Sequence, residues 1–295
     1  MNIPIDIRDF NPSFSITVYL HLPQLLETST NTTMSSSTEL QLGRLNNKVA
    51  IVTGGASPLG FGAAISRRFV TEGAKVIIGD LDASGAESVA ASLSSPNVRG
   101  VAMNVTSEED WKRVVNMAVS EFGRLDIVVN NAGVTYRNKP TEEVTEEEFE
   151  RVMSVNVKSI FWSVKVAIPQ MQKQGEGGSV INISSSGSVR PRPGLVWYNA
   201  SKGAVSNATM ALAAEYGPDQ IRVNAIAPLL SATGLFESFV GVKDTQENRD
   251  KFAASIPLGR LTDPVDVGNA CVFLASDEGK FVTGTNFSVD GGRHI

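Results

Sequence analysis

The stretch "KVAIVTGGASPLGFGAAISRRFVTEGAKVIIGD", residues 48–80, decides the fold of this chain. It begins with an apolar, β-branched run, passes through a cluster of glycines and ends on a second apolar run. This pattern predicts a strand at 49–53, a glycine-rich loop, a helix and a second strand at 75–80. A helix that starts directly after such a loop offers free backbone N–H groups and a positive dipole end. The loop therefore predicts a site for an anionic group such as a pyrophosphate.

A proline interrupts this glycine loop, and two alignments account for it. Pro58 either replaces the middle glycine, which makes Gly60 the last one, or forms an insertion with Leu59 that leaves Gly60 and Gly62 as the middle and last glycines. The insertion is favoured, because proline has no N–H to donate and its φ is fixed. A P-loop is excluded, since Phe61 follows Gly60 where that motif needs a lysine.

An acidic residue closes the second strand. Asp80 lies 18 residues after Gly62, where a carboxylate accepts hydrogen bonds from the adenosine ribose of a dinucleotide and repels a 2′-phosphate. The alternative is an ordinary aspartate that caps the following helix, but Asp82 is the better candidate for that cap. No arginine or lysine occurs in the loop or directly after Asp80, so NAD is favoured as the cofactor and NADP is disfavoured.

The rest of the chain repeats the alternation of strands and helices. A typical amphipathic helix is expected at 109–123, and apolar strands are predicted at 49–53, 75–80, 98–105, 125–131, 178–184, 221–228 and 286–290. Continuous apolar strands separated by helices indicate βαβ units and a parallel sheet covered on both faces. We therefore expect an α/β fold, a doubly wound parallel sheet of the Rossmann-like, three-layer α/β/α type, with its ligand at the carboxyl ends of the strands.

Composition excludes several functional classes. The chain has 295 residues and a net charge of −5, without a long basic run, so no nucleic-acid surface is expected. Cys271 is the only cysteine, and no apolar stretch is long enough to span a membrane. The only histidines, His21 and His294, lie near the termini, which argues against a Ser-His-Asp hydrolase and a histidine-based metal site. A cytoplasmic protein without metal or membrane association is the expectation.

The N-terminal segment differs from the remainder. Residues 1–44 contain the polar tract "TSTNTTMSSSTE" and are predicted to be a disordered extension. A single domain is expected over 45–295. Met34 is a candidate for the true start of the protein.

The stretch "INISSSGSVRPRPGLVWYNASKGAV", residues 181–205, carries the candidate chemistry. Tyr198 and Lys202 are four residues apart, which places both side chains on one face of a helix. A tyrosine is a poor base at neutral pH, and a neighbouring ammonium group lowers its pKa. Ser185, at the end of a predicted strand, can hydrogen-bond a reacting oxygen.

Together these motifs resemble the classical short-chain dehydrogenase/reductase family. The resemblance covers residues 47–292 and includes "NNAG" at 130–133, "SVNVKS" around Asn156, "YNASK" and "SVDGG". It implies reversible hydride transfer between a nicotinamide cofactor and an alcohol/carbonyl pair. The family's usual run from the last glycine to the strand-end acid also spans 18 residues, which favours the insertion of Pro58 and Leu59.

The resemblance also implies a role for each matching residue. Tyr198 would be the general acid/base, Lys202 would lower its pKa and hold the nicotinamide ribose, Ser185 would orient the substrate oxygen, and Asn156 would hold a relay water. A helix-interior amide that satisfies nearby backbone is the alternative for Asn156. The residues expected to bind the cofactor are Thr53, Gly54, Ser57, Gly60, Phe61, Gly62, Asp80, Asn104, Val105, Asn131, Gly133, Tyr198, Lys202, Ser231 and Thr233.

On the substrate side, the resemblance implies a mobile lid at about 229–258. Its candidate residues Leu229, Leu230, Phe236 and Phe239 are apolar, and Leu229 stands where the family usually has glycine. An apolar lid predicts a substrate with a hydrophobic or cyclic skeleton. Arg190 and Arg192 are either carboxylate-binding residues or solvated surface side chains.

Two other functions remain open at this stage. The same hydride chemistry can serve an epimerase or a dehydratase, and a regulatory protein can bind NAD without catalysis. The retained set of Asn156, Ser185, Tyr198 and Lys202 argues against the silent protein, because a sensor does not need these residues. From the resemblance we also expect a homodimer or homotetramer.

Overall fold

Seven parallel strands form one sheet in a computed structural model that describes residues 43–231 and 236–295. The strands are β1 Val49–Thr53, β2 Lys75–Asp80, β3 Val98–Ala102, β4 Ile127–Asn130, β5 Gly178–Ile183, β6 Ile221–Pro228 and β7 Asn286–Val289. Their order across the sheet is β3-β2-β1-β4-β5-β6-β7. All six neighbouring pairs are parallel.

Nine α-helices occur in the described part of the chain. They are α1 Phe61–Thr71, α2 Ala83–Ser92, α3 Glu108–Phe122, α4 Glu146–Met153, α5 Ser159–Gln174, α6 Val196–Tyr216, α7 Phe236–Val240, α8 Gln246–Ala253 and α9 Pro264–Ala275. No helix in these described residues is both long and apolar enough to cross a membrane.

The two faces of the sheet carry separate apolar layers. On β1, Ala50 and Val52 belong to one layer with residues of α1, α2 and α9. Val49 and Ile51 point the other way and join residues of α3, α5 and α6. A strand buried on both faces needs apolar residues at every position, which explains the unbroken run in β1. The three-layer α/β/α fold predicted from the sequence is confirmed.

The order of the strands creates a crevice at the carboxyl ends of β1 and β4. The chain leaves β1 for β2 and β3 on one side and returns to β4 on the other side of β1. The two flanking loops diverge at this switch point, which is where doubly wound sheets bind their ligands.

The structure corrects some predicted boundaries. Strand β3 ends at Ala102 and not at residue 105, because the Asn104 side chain accepts hydrogen bonds from the backbone N–H and hydroxyl of Thr106 and turns the chain. At the N-terminal border, Arg44 belongs with the domain, since its guanidinium pairs with Glu72 at 2.6 Å and lowers the pKa of that carboxyl to about 2. Residues 1–42, including Met34, lie outside the described residues.

Candidate functional site

A cavity of about 580 Å³ opens at the carboxyl ends of the strands. It brings together residues that are distant in sequence but were predicted to act together. Of the predicted site residues, those that line it are Gly54, Ser57, Gly60, Phe61, Asp80, Asn104, Val105, Asn131, Gly133, Ser185, Tyr198, Lys202, Leu229, Leu230, Ser231 and Phe239. Thr53, Gly62, Asn156 and Phe236 lie outside the lining, and Thr233 lies outside the described residues.

The glycine loop lies flat against the start of α1. Gly54 has φ +71°, and a Cβ there would lie 2.7 Å from the Cα of Ala132. A Cβ on Gly62 would collide with the carbonyl oxygen of Gly54. Gly62 is therefore needed for the close packing of helix against loop and not for lining the cavity.

Pro58 and Leu59 form a turn that projects from this loop. The backbone N–H of Gly60 donates to the carbonyl of Ser57 at 2.9 Å, which closes a turn with proline at its second position, where proline is favoured. Leu59 is 73% exposed. The glycines on either side keep their approach to the cavity, as the insertion alignment expects.

The first turn of α1 fits an anionic group. Gly60 is the N-cap residue, no side chain caps the helix, and the first turn contains no acidic residue. Its leading N–H groups are therefore free to donate into the cavity beside Gly60 and Phe61. Together with the close packing at Gly54 and Gly62, this geometry suits a dinucleotide pyrophosphate.

Asp80 lies at one end of the cavity and also ties the loop to β2. Its Oδ2 accepts from the backbone N–H of Ala56 at 3.0 Å, and its Oδ1 accepts from that of Asp82 at 3.1 Å. Each oxygen retains a lone pair for a ribose hydroxyl. Asp82 caps α2 by accepting from Gly85, so the helix-capping alternative applies to Asp82, as expected.

The side chains of Asn104 and Val105 lie beside Asp80 in the lining. Because the Oδ1 atom of Asn104 already accepts two hydrogen bonds from Thr106, its amide nitrogen is the group that faces a ligand. Val105 is buried and supplies an apolar surface suited to an adenine ring.

Thr53 acts through its neighbours and does not line the cavity. Its hydroxyl accepts from the backbone N–H groups of Asn131 and Ala132, both at 3.1 Å, and donates to the carbonyl of Val129 at 3.3 Å. The side-chain amide of Asn131 donates in turn to the carbonyls of Thr53 and Gly54. Thr53 therefore positions the loops after β1 and β4, and its expected contact with the cofactor stays a prediction.

The candidate catalytic side chains meet between β5 and α6. Tyr198 and Lys202 lie on one face of α6 and are both buried. The Lys202 Nζ donates to the carbonyl of Ile183 at 2.8 Å and lies 6.0 Å from the centre of the Tyr198 ring. Ser185 follows β5, and its Oγ accepts from the backbone N–H of Gly187 at 3.0 Å, which fixes its orientation toward the cavity.

Burial dominates the ionisation of this pair. It raises the pKa of Tyr198 to about 12, and hydrogen bonding with Ser185 lowers that pKa by a smaller amount. Burial also lowers the pKa of Lys202 to about 8. The expected downward shift of the tyrosine is therefore wrong for this geometry, because removal from water disfavours the phenolate more than its neighbours stabilise it.

Asn156 holds the loop after β4. It lies in a π-helical turn, Ser154–Lys158, between α4 and α5. Its Oδ1 accepts from the backbone N–H of Val134 at 2.8 Å, and its Nδ2 donates to the carbonyl of Val134 and to the Ser201 hydroxyl. The two amide hydrogens are thus used, and only the second lone pair of Oδ1 remains for a water.

The other half of the cavity is apolar. Leu229, Leu230 and Phe239 line it as predicted for the lid, and the Phe239 ring contacts Tyr198 edge-on at 5.0 Å between centroids. The prediction that Phe236 lines the cavity is corrected. Phe236 is fully buried and packs edge-on against Phe252, and Phe252 lines the cavity instead.

Sequence reasoning missed Phe252 as a lining residue, and it left Arg192 undecided. Arg192 lines the cavity, whereas Arg190 bonds the carbonyl of Arg293 at 2.7 Å. Phe252 is the only large apolar side chain of α8, which signals that it packs against the domain, but the sequence does not say which surface covers it.

Comparison with known proteins reveals related sequences over nearly the whole domain. The profile of the family described as "Enoyl-(Acyl carrier protein) reductase" matches residues 54–294. The 4-formylbenzenesulfonate dehydrogenase TsaC1/TsaC2 of Comamonas testosteroni is 49% identical over 253 residues, which cover 85% of this chain and 99% of that protein. The NADP-dependent (R)-specific alcohol dehydrogenase of Lentilactobacillus kefiri is 39% identical over 252 residues, which cover 84% and 97%.

A solved structure has the same fold. The 3-ketoacyl-(acyl-carrier-protein) reductase from Brucella melitensis, crystallised with NADH, superposes with a TM-score of 0.80 at 41% sequence identity. The match covers 85% of this chain and 100% of that one. One relative thus depends on NADP and another holds NADH, so the relatives support a nicotinamide cofactor without deciding which one this chain prefers.

Proposed function

The chain belongs to the classical short-chain dehydrogenase/reductase family and is an NAD(P)-dependent oxidoreductase, and from this premise we propose that it interconverts an alcohol and a carbonyl compound of aromatic or cyclic skeleton with NAD. One observation carries the proposal. A single cavity holds an acid/base pair, Tyr198 and Lys202, at one end and the lone carboxylate Asp80 at the other, with apolar walls beside the pair.

The catalytic roles follow from the contacts of each side chain. When bound, a nicotinamide cofactor would supply the hydride for carbonyl reduction or take it up in alcohol oxidation. Tyr198 exchanges the proton with the substrate oxygen, and Ser185 holds that oxygen through its hydroxyl, which the N–H of Gly187 keeps oriented. Lys202, whose Nζ is held by the carbonyl of Ile183, would bind the ribose of the cofactor.

The protonated state of Tyr198 suits carbonyl reduction at neutral pH. Because burial keeps the phenol protonated, it can donate its proton to the developing alkoxide. Alcohol oxidation needs the phenolate and is expected to accelerate as the pH rises toward the pKa of Tyr198.

The preference for NAD rests on the charges at the Asp80 end. Asp80, Arg192 and Lys202 are the charged side chains among the described lining residues, and the two cations belong to the half of the cavity that contains Tyr198. A 2′-phosphate at the Asp80 end would therefore meet a carboxylate without a compensating cation.

The apolar walls support the choice of substrate. Leu195, Leu229, Leu230, Phe239 and Phe252 form a surface that suits a ring. The most similar relative described above acts, by its name, on a formyl group attached to a benzene ring. A benzyl alcohol/benzaldehyde pair fits the apolar walls and shares the formyl-substituted ring with the compound in that relative's name.

A steady-state screen tests this function. The purified protein is assayed by NADH or NADPH absorbance with benzyl alcohol, cyclohexanol and glycerol as substrates. We expect the ring alcohols to give the highest kcat/KM, and NAD to exceed NADP by at least about tenfold, or 1.4 kcal/mol. A preference for glycerol would refute the apolar substrate, and equal use of both cofactors would refute the role of Asp80. Product formation without net NADH would instead indicate an epimerase or dehydratase.

A further inference from the structure

One charged side chain in the substrate half of the cavity has no partner in the proposed chemistry. Arg192 lines the cavity near Tyr198 and Phe252. Asp80 lies at the opposite end, and the Lys202 Nζ is bound to the carbonyl of Ile183. Within the described parts of the chain, the Arg192 guanidinium forms no ion pair and donates no hydrogen bond to protein. It is therefore the cation available to a substrate.

The Arg192 guanidinium lies over the ring of Phe252. Its Cζ lies 5.2 Å from the centre of the Phe252 ring. An aromatic ring accepts no conventional hydrogen bond from this cation–π contact, so the N–H donors in the plane of the guanidinium stay available to a ligand. An anion with two oxygens can accept from that edge in the bidentate manner typical of arginine.

The main chain around Arg192 is fixed to the catalytic helix. The side-chain amide of Asn199, the residue after Tyr198, donates to the carbonyl of Arg192 at 2.9 Å. On the other side, the Asn138 amide donates to the carbonyl of Pro193 at 3.0 Å. The backbone of Arg192 therefore has a constant position relative to Tyr198, as a substrate-orienting residue requires.

A second guanidinium increases the positive potential here. Burial lowers the pKa of Arg192, and the positive charge of Arg293 lowers it further. Arg293 is kept nearby by the Arg190 side chain, which donates to its carbonyl. Two like charges in partly buried surroundings repel each other, and a bound anion would relieve that repulsion.

We propose that Arg192, supported by Arg293, binds a negatively charged carboxylate or sulfonate substituent on the ring of the substrate, at the end away from the reacting carbon. This inference rests on the proposed function and adds the substrate's charge and the residue that recognises it. It predicts that anionic benzaldehydes are better substrates than neutral ones of the same shape.

Two isosteric substrates separate charge from shape. We would measure kcat/KM with NADH for 4-formylbenzoate and for the neutral 4-formylbenzamide in the wild type, Arg192→Gln, Arg192→Lys and Arg67→Gln. Arg67 is exposed on α1 outside the cavity, so its variant matches the loss of net charge alone.

We expect Arg192→Gln to lower kcat/KM for 4-formylbenzoate by about 10- to 100-fold, the loss typical of a charged hydrogen bond. The amide should change by less than about threefold, Arg192→Lys should retain part of the preference, and Arg67→Gln should behave like the wild type. An equal loss for both substrates, or no preference in the wild type, would overturn the inference.

A binding measurement distinguishes failure of this inference from failure of the proposed function. Calorimetry would give the Kd of benzoate and of benzamide for the wild type and Arg192→Gln in the presence of excess NADH. Tighter binding of benzoate that disappears in Arg192→Gln supports the anion site even if neither aldehyde is reduced. Equal binding of both ligands overturns the site even if both aldehydes are reduced.

Discussion

The carboxylate of Asp80 serves the loop and the cofactor with the same two oxygens. Each oxygen accepts one backbone N–H, from Ala56 or Asp82, and keeps a lone pair for a ribose hydroxyl. The next residue, Leu81, is 74% exposed and offers no charge. The choice between NAD and NADP therefore depends mainly on Asp80 and Leu81.

The double variant Asp80→Ala/Leu81→Arg should reverse the cofactor preference. It removes the repelling carboxylate and adds a cation beside the position of a 2′-phosphate, so the ratio of kcat/KM for NAD to that for NADP should fall by at least about 100-fold, or roughly 2.7 kcal/mol. Asp82→Ser is the matched control, because it removes a nearby charge and keeps a capping side chain. An unchanged ratio in the double variant would exclude Asp80 as the determinant.

The ionisation of Lys202 should be visible in protein stability. The unfolded chain holds this proton up to about pH 10.5, whereas the folded protein releases it near pH 8, so the wild type gains stability as the pH rises between these values. Relative to Lys202→Met, the free energy of unfolding in urea should increase by about 2 kcal/mol from about pH 7 to about pH 10. The two proteins are compared at equal concentration, and a constant difference would contradict the burial of the ammonium.

Tyr198 and Lys202 could be identified from the sequence, but their pKa values could not. Spacing alone places the two side chains on one face of a helix, because the helical period is local. The pKa depends on how much water reaches each group, and that is decided by β5 and by the lid segments far away in sequence. For the same reason the sequence does not show that the Thr53 hydroxyl accepts hydrogen bonds from the loop after β4.

At the scale of elements, the glycine loop shows how an added turn can leave a binding geometry intact. Ser57 and Gly60 close a turn whose tip, Leu59, points into solvent. Gly54 and Gly62 meet below that turn, where no side chain fits. Changes at the tip of the turn should therefore preserve NAD binding, whereas side chains added at Gly54 or Gly62 should weaken it.

Deletion of Pro58 and Leu59 together should preserve NAD binding. Because the turn lies away from Gly54 and Gly62, the Kd of NAD is expected to stay within about tenfold, or 1.4 kcal/mol, of the wild type. Gly62→Ala is the contrasting variant, since its Cβ would collide with the Gly54 carbonyl, and it should weaken binding by more than the deletion does. Fluorescence titration measures both, and loss of binding by a folded deletion variant would refute the insertion alignment.

In the lid segment, the sequence predicts only part of which side chains line the cavity. Leu229, Leu230 and Phe239 were assigned to the substrate side by position and line the cavity. Phe236 was expected to line the cavity but is buried, and Phe252, which the sequence did not single out, lines it instead. Only packing decides which of two aromatic residues on short helices is covered. Thr233 lies outside the described residues, so its proposed contact remains a prediction.

At the scale of the whole molecule, the sheet was predictable because its strands read as short β-branched runs, which are most continuously apolar in β1 and β4. Helices cover both faces of the sheet, so its strands must be apolar on both faces. Helical crossovers between successive strands make those strands parallel. The expected homodimer or homotetramer remains a prediction, since it depends on surfaces between copies. The disorder expected for the N-terminal segment likewise remains a prediction.

A protein that starts at Met34 should keep its activity and stability. The domain is anchored from Arg44 onward, where Arg44 pairs with Glu72 and Leu45 is fully buried. A chain that starts at Lys48 loses both contacts and should be destabilised by about 2 to 5 kcal/mol, as for removal of a buried leucine. Urea unfolding measures both truncations; equal stability of the two would contradict this boundary.

The proton-transfer role of Tyr198 is the central claim, and the turnover of Tyr198→Phe with benzyl alcohol and NAD tests it most directly. The variant keeps the ring and its contact with Phe239 but removes the hydroxyl. The account predicts that kcat falls by about 10² to 10⁴-fold while NAD still binds. Turnover within about threefold of the wild type would contradict it and exclude Tyr198 as the group that transfers the proton.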